Sequence, residues 1–151
     1  MRSAPRRNAS ATSWCFDAID DLVAAAEPPP AYVLLFALRF LDAAADAHPR
    51  ALDQLDALAP FVRDDGAIPV AGGAPGESLK LLDLAPFPDR PVRRLFRPDA
   101  VTADLDRLAA GQQDDGGWTV DYDAYSPAAA LEWRGYATVQ AVRVLRANGR
   151  A

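Results

Sequence analysis

Two stretches of this chain repeat one another fifty residues apart, and that duplication constrains the fold more than any other feature. Leu55-Asp56 recurs as Leu105-Asp106, and Leu58-Ala59 as Leu108-Ala109. Asp64-Asp65-Gly66 recurs as Asp114-Asp115-Gly116, and Val70 as Val120. The segments align without a gap. A repeat of this period is one supersecondary unit, which buries its apolar face only by stacking on a neighbour. Leucines at helical spacing lead into a polar Asp-Asp-Gly turn, so the unit reads helix, loop, helix. The copies cover about 49–97 and 99–149, inside one domain expected over 12–151.

Six helices are expected. Ser13 caps the first, over 14–26, with Phe16, Ile19, Leu22 and Val23 on one face. Pro28-Pro29-Pro30 ends it, since proline supplies no amide donor and restricts its predecessor. The second helix covers 31–47, closed by His48-Pro49. Its opening, Tyr32 to Leu41, is apolar all round and predicts deep burial. A third covers 49–61. The loop 64–76 is rich in Gly and Pro, and a short fourth helix follows over 77–84. Pro86, Pro88 and Pro91 then break the chain, apart from one turn at 92–96. A fifth helix covers 98–111. A sixth covers 127–148, with Pro127 in its first turn and Gly149 as its C-terminal cap. No strand is expected, and the polar, basic residues 1–11 are expected to form a disordered arm.

The second copy carries Gln112-x-x-x-Gly116-x-Trp118, with Leu108 four residues before the glutamine. Where it has Gln113, Gly117 and Trp118, the first copy has Arg63, Ala67 and Ile68. Placed between two helices, this string resembles the QW motif of squalene–hopene and oxidosqualene cyclases. More widely, it resembles the prenyltransferase/squalene oxidase repeat of α/α toroids. The likeness covers about 50–149 and is strongest over 105–118. The motif's usual basic and aromatic upstream positions hold Ala103 and Arg107 here. The resemblance implies an all-α fold in which helical hairpins form a partial α/α toroid. About three helix pairs are present, roughly half of what a closed ring of that group uses. An open arc exposes apolar surface that a partner would cover, so a homodimer is expected. Gln112, Gly116, Gly117 and Trp118 read as a structural motif. The glycines permit a tight turn, the indole clamps adjacent helices, and the amide satisfies backbone groups at a helix end.

Composition narrows the function. Net charge is -5 and the pI is near 4.7, which disfavours nonspecific nucleic-acid binding. Cys15 is the only cysteine, so no intrachain disulfide can form, and cytoplasmic residence is the simplest expectation. Lys80 is the only lysine among many arginines, a bias that suggests a GC-rich bacterial genome. The twin Arg6-Arg7 is followed by Asp17, Asp20 and Asp21, which interrupt any signal-peptide core. The longest apolar run, Ala31 to Leu38, is too short to span a bilayer.

The group that the chain resembles has catalytic signatures missing here. QW-type cyclases use Asp-x-Asp-Asp, and the nearest string, Asp121-Tyr122-Asp123-Ala124, lacks the final Asp. Cys15 and His48 lie in no metal-binding motif, so no metal or cofactor is implied. The paired acids at 64–65 and 114–115 recur at the repeat period, which points to turn and capping roles. The best candidate site follows the motif. Tyr122, Tyr125, Trp133 and Tyr136 would line a pocket for an apolar ligand, with Asp121, Asp123 and Glu132 as candidate catalytic acids. Core packing beside a solvated acidic loop is the plainer alternative. Three functions stay open. The chain could be a module binding an apolar small molecule or a partner protein. It could be an enzyme using carboxylic-acid chemistry on an isoprenoid-like substrate. Or it could be a purely structural assembly module.

Overall fold

A computed structural model describes residues 10–150, so most of the expected N-terminal arm lies outside the described residues. The first helix, α1, spans Ala11–Ala25. Its cap is Ser10, whose hydroxyl accepts from the Ser13 amide at 3.2 Å. The expectation of Ser13 as cap is therefore corrected by one turn: Ser10 is the residue in extended conformation, and Ser13 already lies inside the helix. Helix α2 spans Ala31–Ala44 and α3 spans Arg50–Leu58, the latter tightening into a 3-10 turn at Ala59–Phe61. Helix α4 is a single turn, Leu81–Leu84. A 3-10 turn at Pro91–Leu95 precedes α5, Pro98–Ala110, and α6 spans Pro127–Ala147. Among the described residues, no helix is long and apolar enough to cross a membrane.

The all-α class holds, with one small departure. Ile68–Pro69 (β1) and Ser78–Leu79 (β2) pair antiparallel, Ile68 facing Leu79. The expected helix over 77–84 thus begins as a strand and becomes helical only at Leu81. The Glu77 carbonyl is already used by the Val70 amide at 3.1 Å, which extends the ladder where a helix would need its first turn.

The core gathers on α2 and α3. Leu34, Leu38 and Leu41 of α2 meet Ala51, Leu55 and Leu58 of α3, and Leu81, Leu84, Ala85 and Val92 close the cluster. Helix α2 is not buried all round, contrary to expectation: Tyr32, Val33 and Phe36 face solvent. One apolar face satisfies the core, and none of the described residues covers the other.

Some local features fifty residues apart match in the structure. Gln54 and Asp104 are fifty residues apart, and each ties its own helix to an earlier one. Gln54 donates to the Phe16 carbonyl of α1 at 2.8 Å, and Asp104 accepts from the Leu82 amide of α4 at 2.9 Å. The turns match as well. Gly66 and Gly116 both have positive φ (66° and 85°), and their amides donate three residues back to Arg63 and Gln113. Asp65 and Asp115 each accept from the amide two residues on, at 3.0 and 3.1 Å. These two acids are spent on holding the turn.

The copies diverge after the turn. In the second copy, Ser126 caps α6 by accepting from the Ala129 amide at 3.2 Å. Gly149 (φ 68°) and Arg150 close it with amides returning to Arg146 and Leu145, a Schellman cap. In the first copy the same stretch holds β2, α4 and a proline-broken segment.

Candidate functional site

The Gln112–Trp118 turn is built to stay closed. The Gln112 side chain donates from Nε2 to the Gly116 carbonyl at 3.0 Å, and the Gln113 amide donates to the Gly117 carbonyl at 2.8 Å. Trp118 is 6% exposed. Its Nε1 donates to the Leu108 carbonyl at 2.6 Å, and its amide donates to Thr138 Oγ1 at 3.0 Å. The indole therefore pins the end of α5 to the middle of α6. A Cβ on Gly117 would stand 2.8 Å from Arg134 Nη2, and that guanidinium pairs with the Asp115 carboxylate. The pairing, followed by the bond from the Gly117 amide, holds Asp115 below its ordinary carboxylate pKa.

Beyond the turn, the chain brings together three of the four expected aromatic residues. Tyr122 and Trp133 meet edge-to-face with centroids 6.1 Å apart, and Trp133 meets Tyr136 the same way at 5.8 Å. Tyr125 stands apart, fully exposed. Trp133 and Tyr136 are also open to water, so these rings form a surface and not the lining of a closed pocket. Asp121, Asp123 and Glu132 are exposed. None of the three sits in an apolar enclosure. Asp83 is a carboxyl that burial does push upward, but the residue as a whole is exposed and its oxygen accepts from the Lys80 amide at 2.7 Å, capping α4.

The structure extends this surface with residues that sequence reasoning missed. Tyr32 and Phe36 of α2 stack at 6.4 Å with an interplanar angle of 27°. The Tyr32 hydroxyl donates to Glu77 Oε1 at 2.6 Å, while Glu77 Oε2 accepts from the Ala74 amide at 2.9 Å. That carboxylate thus ties the first-copy loop to α2. The hydrogen bond from Tyr32 holds Glu77 below its usual range, and the same bond, ahead of burial, pushes the Tyr32 phenol up to about 12. Tyr122 lies within electrostatic reach of Tyr32, Glu77 and Tyr136, and burial is the main cause of its own raised pKa. The spacing Tyr32, Phe36, Arg39 at i, i+4, i+7 was the available signal, but an all-round apolar helix hides which face stays open.

Tyr136 also lies at the edge of an open groove of about 500 Å³. Arg39, Asp42 and Ala43 of α2 form one wall, and Tyr136, Gln140 and Arg143 of α6 the other. Leu84, Pro86 and Phe87 lie between them. Through Tyr136 the aromatic surface adjoins the groove, and the two together are termed the trough between α2 and α6. Comparison of the chain with protein-family models, curated proteins and solved structures yields no match.

Proposed function

We propose that this protein is a helical-repeat binding module, a partial α/α toroid related to the QW-type repeat. In this reading it works in the cytoplasm and receives an apolar small molecule in the trough between α2 and α6. The observation carrying this reading is the set of open rings, Tyr32, Phe36, Trp133 and Tyr136, with half-buried Tyr122 among them, beside a groove of ligand size. Large rings left in water are costly unless something covers them. The exposed acids Asp121, Asp123 and Glu132 give the enzymatic alternative less support. N-phenyl-1-naphthylamine, an uncharged probe that brightens in apolar surroundings, should bind and be displaced by decanol. Phe36→Ser with Trp133→Ser should abolish the signal while the fold persists by circular dichroism. A wild-type protein that leaves the probe dark at high micromolar concentration would sink the proposal.

A second reading concerns the other flank of α6, and what favours it is an apolar stripe. Ala128, Leu131, Gly135 and Val139 fall on one exposed strip, with Leu131 71% exposed. Glycine inside a helix costs about 1 kcal/mol relative to alanine. A Cβ at Gly135 would meet nothing within 4 Å, so packing within this chain does not call for it. A second copy of the chain crossing α6 at Gly135 would use the small residue and cover its neighbours, giving the homodimer that an open arc calls for. Sedimentation equilibrium should show a dimer that Leu131→Glu dissociates, and a wild-type monomer would refute this reading.

A further inference from the structure

The trough changes character along its length. On α2, positions 32, 36, 39 and 43 share one face, and on α6 positions 133, 136, 140 and 143 do the same. From Tyr32 to Ala43 this face extends about 16 Å at the helical rise of about 1.5 Å per residue. One end carries aromatic rings. The other carries Arg39 and Arg143, in a chain whose net charge is -5. A third arginine in the groove, Arg90, is already engaged by Asp42 at 3.4 Å and Asp46 at 2.9 Å. Arg39 reaches the Asp83 carbonyl at 3.3 Å, and Arg143 sits 5.6 Å from the centroid of the Phe87 ring. Among the described residues, neither forms an ion pair. Two guanidinium groups without carboxylate partners, next to an apolar floor, suit an anion attached to an apolar body, because a planar fork of donors matches carboxylate or phosphate oxygens.

We infer that the ligand is an amphipathic acid, its anionic head held by Arg39 and Arg143 and its apolar body lying along Tyr136, Trp133 and Phe36. This rests on the trough being the binding site, as proposed above. Titration calorimetry with decanoate, decyl phosphate and decanol, each below its aggregation concentration, separates the two ideas. The wild type should bind at least one of the two acids about tenfold more tightly than decanol, the difference a charge-assisted pair of contacts supplies. Arg39→Gln with Arg143→Gln should erase that preference and leave decanol binding in place. The Phe36→Ser, Trp133→Ser variant should weaken all three ligands. Decanoate binding more tightly than the phosphate would make the head a carboxylate, and the reverse order would make it a phosphate. Equal affinity for acids and alcohol, or a preference surviving in the arginine variant, would overturn the anionic head and leave the apolar trough standing. Failure of all three ligands to bind the wild type would overturn both.

Discussion

Replacing Trp118 by alanine tests the reading of the turn as an architectural clamp. A large aromatic side chain buries about 150–250 Å², which at about 25 cal/mol per Å² corresponds to roughly 4–6 kcal/mol of transfer free energy. That figure is an upper bound, because an unfolded chain already hides part of the ring. Truncation of buried aromatics in cores costs about 3–5 kcal/mol, cavity included. With only 6% of its surface exposed, Trp118 belongs near the middle of that range. Loss of the Nε1–H adds about 1 kcal/mol at most. The Leu108 carbonyl it leaves behind still accepts from the Gly111 amide at 3.2 Å. Trp118→Ala should therefore cost about 4 kcal/mol, or roughly 8–16 °C in Tm for a domain of this size. Trp118→Phe keeps most of the ring and loses the donor, so it should cost about 1–2 kcal/mol. Urea titration followed by far-ultraviolet circular dichroism measures both. A loss below about 1 kcal/mol for the alanine variant would refute the argument, since it would mean that α5 and α6 are joined without the indole.

The remaining predictions probe the repeat, a buried charge and the aromatic surface. Gly66 and Gly116 occupy the same turn position, but a Cβ on Gly66 would stand 2.5 Å from Leu81 Cβ and 2.6 Å from its Cα, whereas on Gly116 the nearest atom is 3.8 Å away. Chemical denaturation should find Gly116→Ala costing about 1–2 kcal/mol for its left-handed backbone, and Gly66→Ala about 3 kcal/mol or more, because a clash is added; equal losses would contradict the close approach. Arg93 donates from Nη1 to Asn148 at 3.0 Å, but its Nε and Nη2 are buried without partners among the described residues, and burial lowers its pKa. Arg93→Met should leave stability unchanged or raise it by about 1 kcal/mol, since it removes two unsatisfied donors, and a measured loss above about 2 kcal/mol would show that the charge is needed. The Tyr32 phenol, held protonated by Glu77, has a folded pKa raised from 10.0 to about 12. Its contribution to stability is thus present below pH 10.0 and lost as pH rises through about 12. Ultraviolet absorbance, read against a Tyr32→Phe variant, should show Tyr32 ionising near pH 12. Glu77→Gln should bring its midpoint down, and an unmoved midpoint would break the link.

Local chemistry made the helices legible in the sequence. Proline runs, Pro127 and Gly149 mark boundaries through donors withheld or a left-handed cap, and these effects act within a turn or two. The matched turns were legible for the same reason: Asp and Gly at positions 65–66 and 115–116 have few ways to satisfy the backbone. The candidate site was half legible. Trp133 and Tyr136 share a helix face that spacing reveals, but Tyr125 does not join them, because its loop carries it into solvent. Tyr32, Phe36, Arg39 and Glu77 were not legible. Their role depends on how α2 lies relative to α6, and no local spacing encodes that.

The trough follows from the way the two copies diverged. A shift of fifty residues lays α6, residues 127–147, over residues 77–97. Pro86, Pro88 and Pro91 stand there, each withholding an amide, so that stretch cannot be helical through its length. It folds instead as α4 and an irregular segment, and Leu84, Pro86 and Phe87 become the floor between α2 and α6. A full helix in that place would put a different surface beside Arg39 and Tyr136, which line the groove with Leu84, Pro86 and Phe87. Because the first copy is short of a helix, the last turns of α6 pack through Ala141, Val144 and Leu145 while its first half stands open. The irregular segment at that place leaves open the groove in which the proposed ligand would sit.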